Sequence, residues 1–92
     1  MDTIDKNSNF KLAPHVSYSE TENSLIILDA KNGKFFETNH SAKLILSEIE
    51  KNNKFHEIES SLSSKYENFS KKDLEDFLAA LVKNEFIYIY KE

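Results

Sequence analysis

Histidine is the side chain best suited to carry a proton or hold a metal near neutral pH, and this chain has three: His15, His40 and His56. No two stand at the i, i+4 spacing that sets a pair of imidazoles around a metal on one helix face, so no metal site is expected. Carboxylates are abundant, among them Glu48, Glu50, Glu57 and Glu59, but they are interspersed with lysines along helical stretches. That is the pattern of a solvated outer face, not of a paired general acid and base. Ser60, Ser61, Ser63 and Ser64 have no partner base to activate a hydroxyl. Gly33 is the only glycine, and one glycine does not build a phosphate-cradling loop. These residues point away from an enzyme and from any cofactor, and towards a binding protein.

The totals narrow the kind of binding. With 92 residues the chain makes one small domain. Such a domain buries only roughly 60–65 % of its unfolded surface, which leaves a thin core and no room for a deep catalytic pocket. There is no cysteine, which fits a reducing cytosol and a cytoplasmic protein. The start, Met1-Asp2-Thr3-Ile4, has no apolar run of the signal-peptide kind. No stretch approaches the roughly 18 apolar residues of a spanning helix, so no membrane partner is expected. A net charge of −4 and the absence of arginine argue against nucleic acid, whose backbone and guanines are read mostly by clustered cations.

The elements that would position a binding site are legible in the pattern. Residues 1 to 12 are polar and unpatterned and read as a mobile tail, leaving residues 13–92 as the domain. After Pro14, His15–Ser19 alternates as a short strand, and Thr21–Ser24 is turn-like. Leu25–Ala30 is apolar on both faces, as a central strand should be. Asn32-Gly33 suits a two-residue type I′ hairpin, which would pair Ala30 with Phe35, Leu28 with Glu37 and Ile27 with Thr38. Lys34–Thr38 is then a short aromatic edge strand. Its Phe36 and Thr38 share the helix-facing side with Leu25 and Ile27, while Phe35 lies on the other.

Three helices follow. Asn39 caps the first, with Ala42, Ile45, Leu46 and Ile49 as its stripe. Lys51-Asn52-Asn53 ends it and offers a cap to the second, which carries Phe55, Ile58 and Leu62. Ser70 and Asp73 form a capping-box variant at the third, with Phe69 and Leu74 as a hydrophobic staple; its buried stripe is Leu74, Phe77, Leu78 and Leu81. Phe86–Tyr90 reads as a last strand held against the sheet. The class is α+β, a small antiparallel β-sheet followed by three helices, similar to a winged helix-turn-helix. As a DNA reader the third helix would carry Asp73, Glu75, Asp76 and Glu85 towards phosphates, against only Lys71, Lys72 and Lys83. A winged-helix transcription regulator and a generic small protein-interaction domain therefore stand as the alternatives.

The run Lys34-Phe35-Phe36-Glu37-Thr38-Asn39, then Ser41-Ala42 and Ile45-Leu46, resembles the PqqD-like family. The later half agrees in spacing: Phe55-His56-Glu57-Ile58, Leu62, Tyr66, Asp73-Leu74, Phe77-Leu78, Leu81 and Phe86-Ile87. The similarity covers about residues 14 to 90. Asn52-Asn53 stands where the family usually has glycine, and Thr38 where it favours leucine. The resemblance implies a RiPP recognition element, here a stand-alone peptide chaperone for ribosomally made, modified peptides. In that family the leader of the precursor adds as an antiparallel strand to the third strand, beside the third helix. Its partners would be the precursor (leader) peptide and a RiPP-modifying enzyme or leader protease, the latter needing a second contact surface. Carried over, the main chain of Lys34, Phe35, Phe36, Glu37 and Thr38 is the template. Phe35, Phe36, Phe77 and Leu81 line the groove, Ala80 leaves room for a large side chain, and Lys34, Asp73, Asp76 and Asn84 form the rim. Phe36, Phe77 and Leu81 have a second reading as plain core.

Overall fold

The computed structural model describes residues 4–90. Its elements run β1 (Asn9–Leu12), β2 (Val16–Glu20), β3 (Leu25–Asp29), β4 (Lys34–Thr38), α1 (Ser41–Glu50), α2 (Phe55–Lys65), α3 (Lys71–Lys83) and β5 (Ile87–Tyr90). β2, β3 and β4 form an antiparallel three-stranded sheet with β3 in the centre. β1 pairs with β5 in a separate two-stranded sheet. The architecture is α+β, as the pattern of residues predicts.

The N-terminal segment corrects the reading of residues 1–12 as a tail. Residues 9–12 are a strand, and Ser8, Asn9 and Phe10 are fully buried. A single aromatic explains most of this, because Phe10 joins the main core, which also holds Phe55, Ile58 and Ile87. The backbone supplies the rest. α2 has no side-chain cap, and its first N–H groups have no partner within the helix. Phe55 N–H instead donates to the Ser8 carbonyl at 2.9 Å, and His56 N–H to that of Lys6 at 3.2 Å. Glu57 closes the same helix start by accepting from Lys54 N–H at 2.7 Å. Residues 1–3, also part of that expectation, lie outside the described residues, as do Lys91 and Glu92. β5 is likewise paired differently from expectation, with β1 and not with the larger sheet.

The hairpin keeps its predicted faces but shifts its register by two residues. Leu28 pairs with Phe35, Ile27 with Phe36 and Leu25 with Thr38, so the loop is Ala30–Gly33 and not Asn32-Gly33 alone. Asp29 is the cause. Its carboxylate is wholly buried, accepting from Lys31 N–H and Asn32 N–H at 3.0 Å and from Asn32 Nδ2 at 2.8 Å. That holds Asn32 out of the left-handed region a type I′ turn would demand; only Gly33 takes it there, at φ 65°. A two-residue shift preserves alternation, so Leu25 and Ile27 still face the helices, fully buried.

The helices end as their residues allow. Asn39 Oδ1 accepts from Ser41 N–H at 3.1 Å just ahead of α1, and Asn52 leaves that helix in the left-handed region at φ 64°. Asparagine is the side chain that best replaces glycine at such a position. Ser70 Oγ accepts from Asp73 N–H at 3.3 Å at the start of α3. Glu85, also left-handed at φ 62°, turns the chain from α3 into β5, with Phe86 N–H closing on the Leu81 carbonyl. Glu48 departs from the solvated-face reading. It is buried and accepts from Asn53 Nδ2 and Ser61 Oγ, both at 2.9 Å, tying α1 to α2.

Phe10→Ala is expected to lower unfolding free energy by about 3–5 kcal/mol, the usual cost of deleting a buried aromatic, as read by urea denaturation; a free tail would show no change. Hydrogen bonds from Asn32 hold the Asp29 carboxyl below its ordinary 3.8, helped by the nearby His15 ring. A depressed folded value stabilises the fold above the unfolded one and loses that contribution as pH falls through it. The urea midpoint should therefore decline below pH 3.8, and Asp29→Asn should remove that part of the acid dependence.

Candidate peptide-binding site

The two edges of the larger sheet are not equivalent. β2 is tied to α1 along its helix-facing side. The Tyr18 hydroxyl donates to Glu50, and Glu20 accepts from Lys43 Nζ at 2.6 Å and pairs with His40 Nδ1 at 3.0 Å. Burial and the Glu50 carboxylate push the Tyr18 phenol up to about 12. The Lys43 ammonium and the His40 ring hold the Glu20 carboxyl below its usual value. Pro14 and these fixed charges blunt that side of the sheet. β4 has no such cover: no strand pairs with its outer edge among the described residues.

α3 runs beside β4 in the opposite sense. Phe36 meets Phe77 at 6.4 Å between ring centroids and Phe86 at 6.2 Å. Lys34 Nζ stands 5.5 Å over the Phe86 ring, and Thr38 shares a cleft with Asp73 and Phe77 at the other end. The groove thus has Lys34, Phe36 and Thr38 on the strand. Asp73 and Phe77 form its helical wall, and Ala80 and Asn84 continue the same face of α3 at one-turn spacing. Asn84 Nδ2 donates to the Ala80 carbonyl at 2.8 Å, which fixes the C-terminal end of that wall.

The cleft at the Thr38 end has a volume of about 380 Å³. Ala42, Ile45, Leu62, Tyr66, Phe69 and Leu74 give it an apolar interior, and Asn39, Ser41, Asn68, Ser70 and Asp73 rim it. It forms because two capped helix starts, Ser41 of α1 and Lys71 of α3, converge at the end of β4. The sequence displayed both caps, but their convergence is a tertiary fact. These lining residues, Thr38, Asp73 and Phe77 apart, were absent from the expected site for that reason.

The remaining expected residues divide. Leu81 is 1 % exposed and belongs to the core, not to the groove surface. Phe36 and Phe77 are half-buried and serve both purposes, packing on the core and paving the groove. Phe35 is 68 % exposed but faces away from α3. It sits over a hollow with Ile26 and Leu28 on the open side of the sheet. Glu37 points to the same side and accepts from Ser24 Oγ at 2.8 Å. Asp76 lies on the solvent side of α3, paired with Lys72 at 3.2 Å. No group of three or more metal-ligating side chains, and no helix long and apolar enough to cross a membrane, occurs among the described residues.

An α+β domain with an open edge strand flanked by a helix and an apolar cleft is of the class that can take an extended peptide as an added strand. The chain belongs to the PqqD family: the model of Coenzyme PQQ synthesis protein D (PqqD) matches residues 24–87, more than half of its length. The resemblance read from the sequence is borne out. Two solved structures share the fold. One, described as TbiB1 in complex with the TbiA(beta) leader peptide, is 23 % identical, with a TM-score of 0.74 over 89 % of this chain and 99 % of that one. The other, lasso peptide synthetase B1 complexed with the leader peptide, is 25 % identical, with a TM-score of 0.69 over 87 % of this chain and 98 % of that one. No curated protein matches.

Outward-pointing amides of β4 should exchange with solvent well ahead of those of β3, since only the central strand is paired on both sides. Hydrogen-exchange NMR of the free chain reads this; equal protection on β3 and β4 would mean the edge is covered.

Proposed function

We propose that this chain is a RiPP recognition element. It binds the leader of a ribosomally made precursor peptide by strand addition to β4 and presents it to a modifying enzyme or leader protease. The observation that carries the reading is the unpaired edge of Lys34–Thr38 lying beside a groove paved by Phe36 and Phe77. Main-chain hydrogen bonds to the edge supply affinity without demanding a sequence, and alternate side chains of the ligand enter the groove and supply the choice. The two solved relatives, both complexes with a leader peptide, support it.

On this reading the chain is a binding protein and not a catalyst, working without a cofactor. Cleavage or cyclisation falls to the enzyme that receives the peptide, and the cytoplasm, where the precursor is made, is the compartment implied. Residues 13–92 with β1 added make the functional unit, because Phe10 of β1 belongs to the same core as the helices and the larger sheet. The acids of α3 disfavour duplex DNA as the ligand.

The test is titration of a labelled leader from a precursor encoded beside this gene. NMR shifts should concentrate in residues 34–38 and at Asp73, Phe77, Ala80 and Asn84. Ala80→Trp should fill the groove and weaken binding by about tenfold or more while leaving the melting temperature near that of the parent, since the position is only half-buried and outside the core. Shifts scattered over the molecule, or undiminished binding by the tryptophan variant, would remove the groove from the mechanism.

A further inference from the structure

The groove is electrically polar along its length. Asp73 is the only charged side chain lining the cleft at the Thr38 end. It has no ion-pair partner among the described residues, unlike its neighbour Asp76. At the opposite end Lys34 likewise makes no ion pair among the described residues, and lies over the face of Phe86. Between them Phe36, Phe77, Ala80 and Asn84 carry no charge. An anion at one end and a cation at the other, each held without a partner beside an apolar floor, is a pattern that a complementary ligand completes.

The spacing converts this polarity into a sequence. Lys34, Phe36 and Thr38 share one side of β4, so a strand paired with it also presents every second side chain to the groove. Every strand pairing among the described residues is antiparallel, and antiparallel addition is slightly the more stable per residue. The ligand then begins at the Thr38 end and finishes at the Lys34 end. Resting on the reading of β4 as a leader-binding edge, we propose that the groove selects a charge-ordered strand. A lysine or arginine comes first, then a large apolar residue two positions on, then an aspartate or glutamate two positions beyond that. The cation lays its methylene stem along Phe69 and brings its charged head to Asp73. The apolar residue covers Phe36 and Phe77. The anion meets Lys34.

Panning a phage-displayed library of random 16-residue peptides on the intact chain tests this. Enriched peptides should carry a base four residues ahead of an acid with an apolar residue midway. Reversing the two charges in a synthetic copy should weaken binding by about threefold to fivefold per charge, as for exposed ion pairs. Asp73→Asn should erase the preference for the base alone, and Lys34→Gln that for the acid alone, with circular dichroism reporting that both variants fold. Enriched peptides that shift residues 34–38 but show no charge order, or the reverse order, overturn the charge proposal and leave strand addition standing. Enriched peptides that leave residues 34–38 unmoved, or a library that yields none, overturn both.

Discussion

The buried carboxylate of Asp29 is the constraint on which the working side of the molecule depends. A wholly buried anion is tolerated only when hydrogen bonds replace its water, and here the turn backbone and Asn32 do so. In gathering those donors it shapes the loop, and the loop sets how β4 lies on β3. A slip of one residue would turn Phe36 outwards and Phe35 in, since alternation has a period of two. Phe36 would then lose Phe77 and Phe86, and the groove its floor. One acid at the base of a hairpin therefore decides which side chains a ligand meets on the far edge.

Much of this was legible in the chain. Asn39, Ser70 and Asp73 marked helix starts because capping is a local bargain between a side chain and the next few amides. The apolar stripes gave the core faces for the same local reason. What failed was long-range. Phe10 is a lone aromatic in a polar stretch, so periodicity offers no signal for β1; its burial depends on β5 and α2, which come some 45 residues later or more. Asn32-Gly33 favours a tight hairpin by local propensity, and a buried acid three residues earlier overrides it. Glu48 looked like one surface acid among many until Asn53 and Ser61 closed on it.

The site shows the same division. The edge of β4 follows from strand order, and Asp73, Phe77, Ala80 and Asn84 from helical spacing once that helix is set against the strand. The cleft at the end of the groove required knowing where two helix starts meet, which no single segment records. Phe35 and Leu81 came to the expected groove through the family resemblance, and Leu81 was also read as core. Alternation puts the first on the far side of the sheet, and the helical turn puts the second beneath the floor.

The pairing of β1 with β5 has a topological consequence. Asn9 lies opposite Tyr90, so the first and last strands of the described residues close the smaller sheet together, while the open edge belongs to the other. Such a unit behaves as a cassette. Neighbouring first and last strands of this kind suit insertion into a loop of a host protein, or joining and reopening elsewhere, away from the sheet that holds β4.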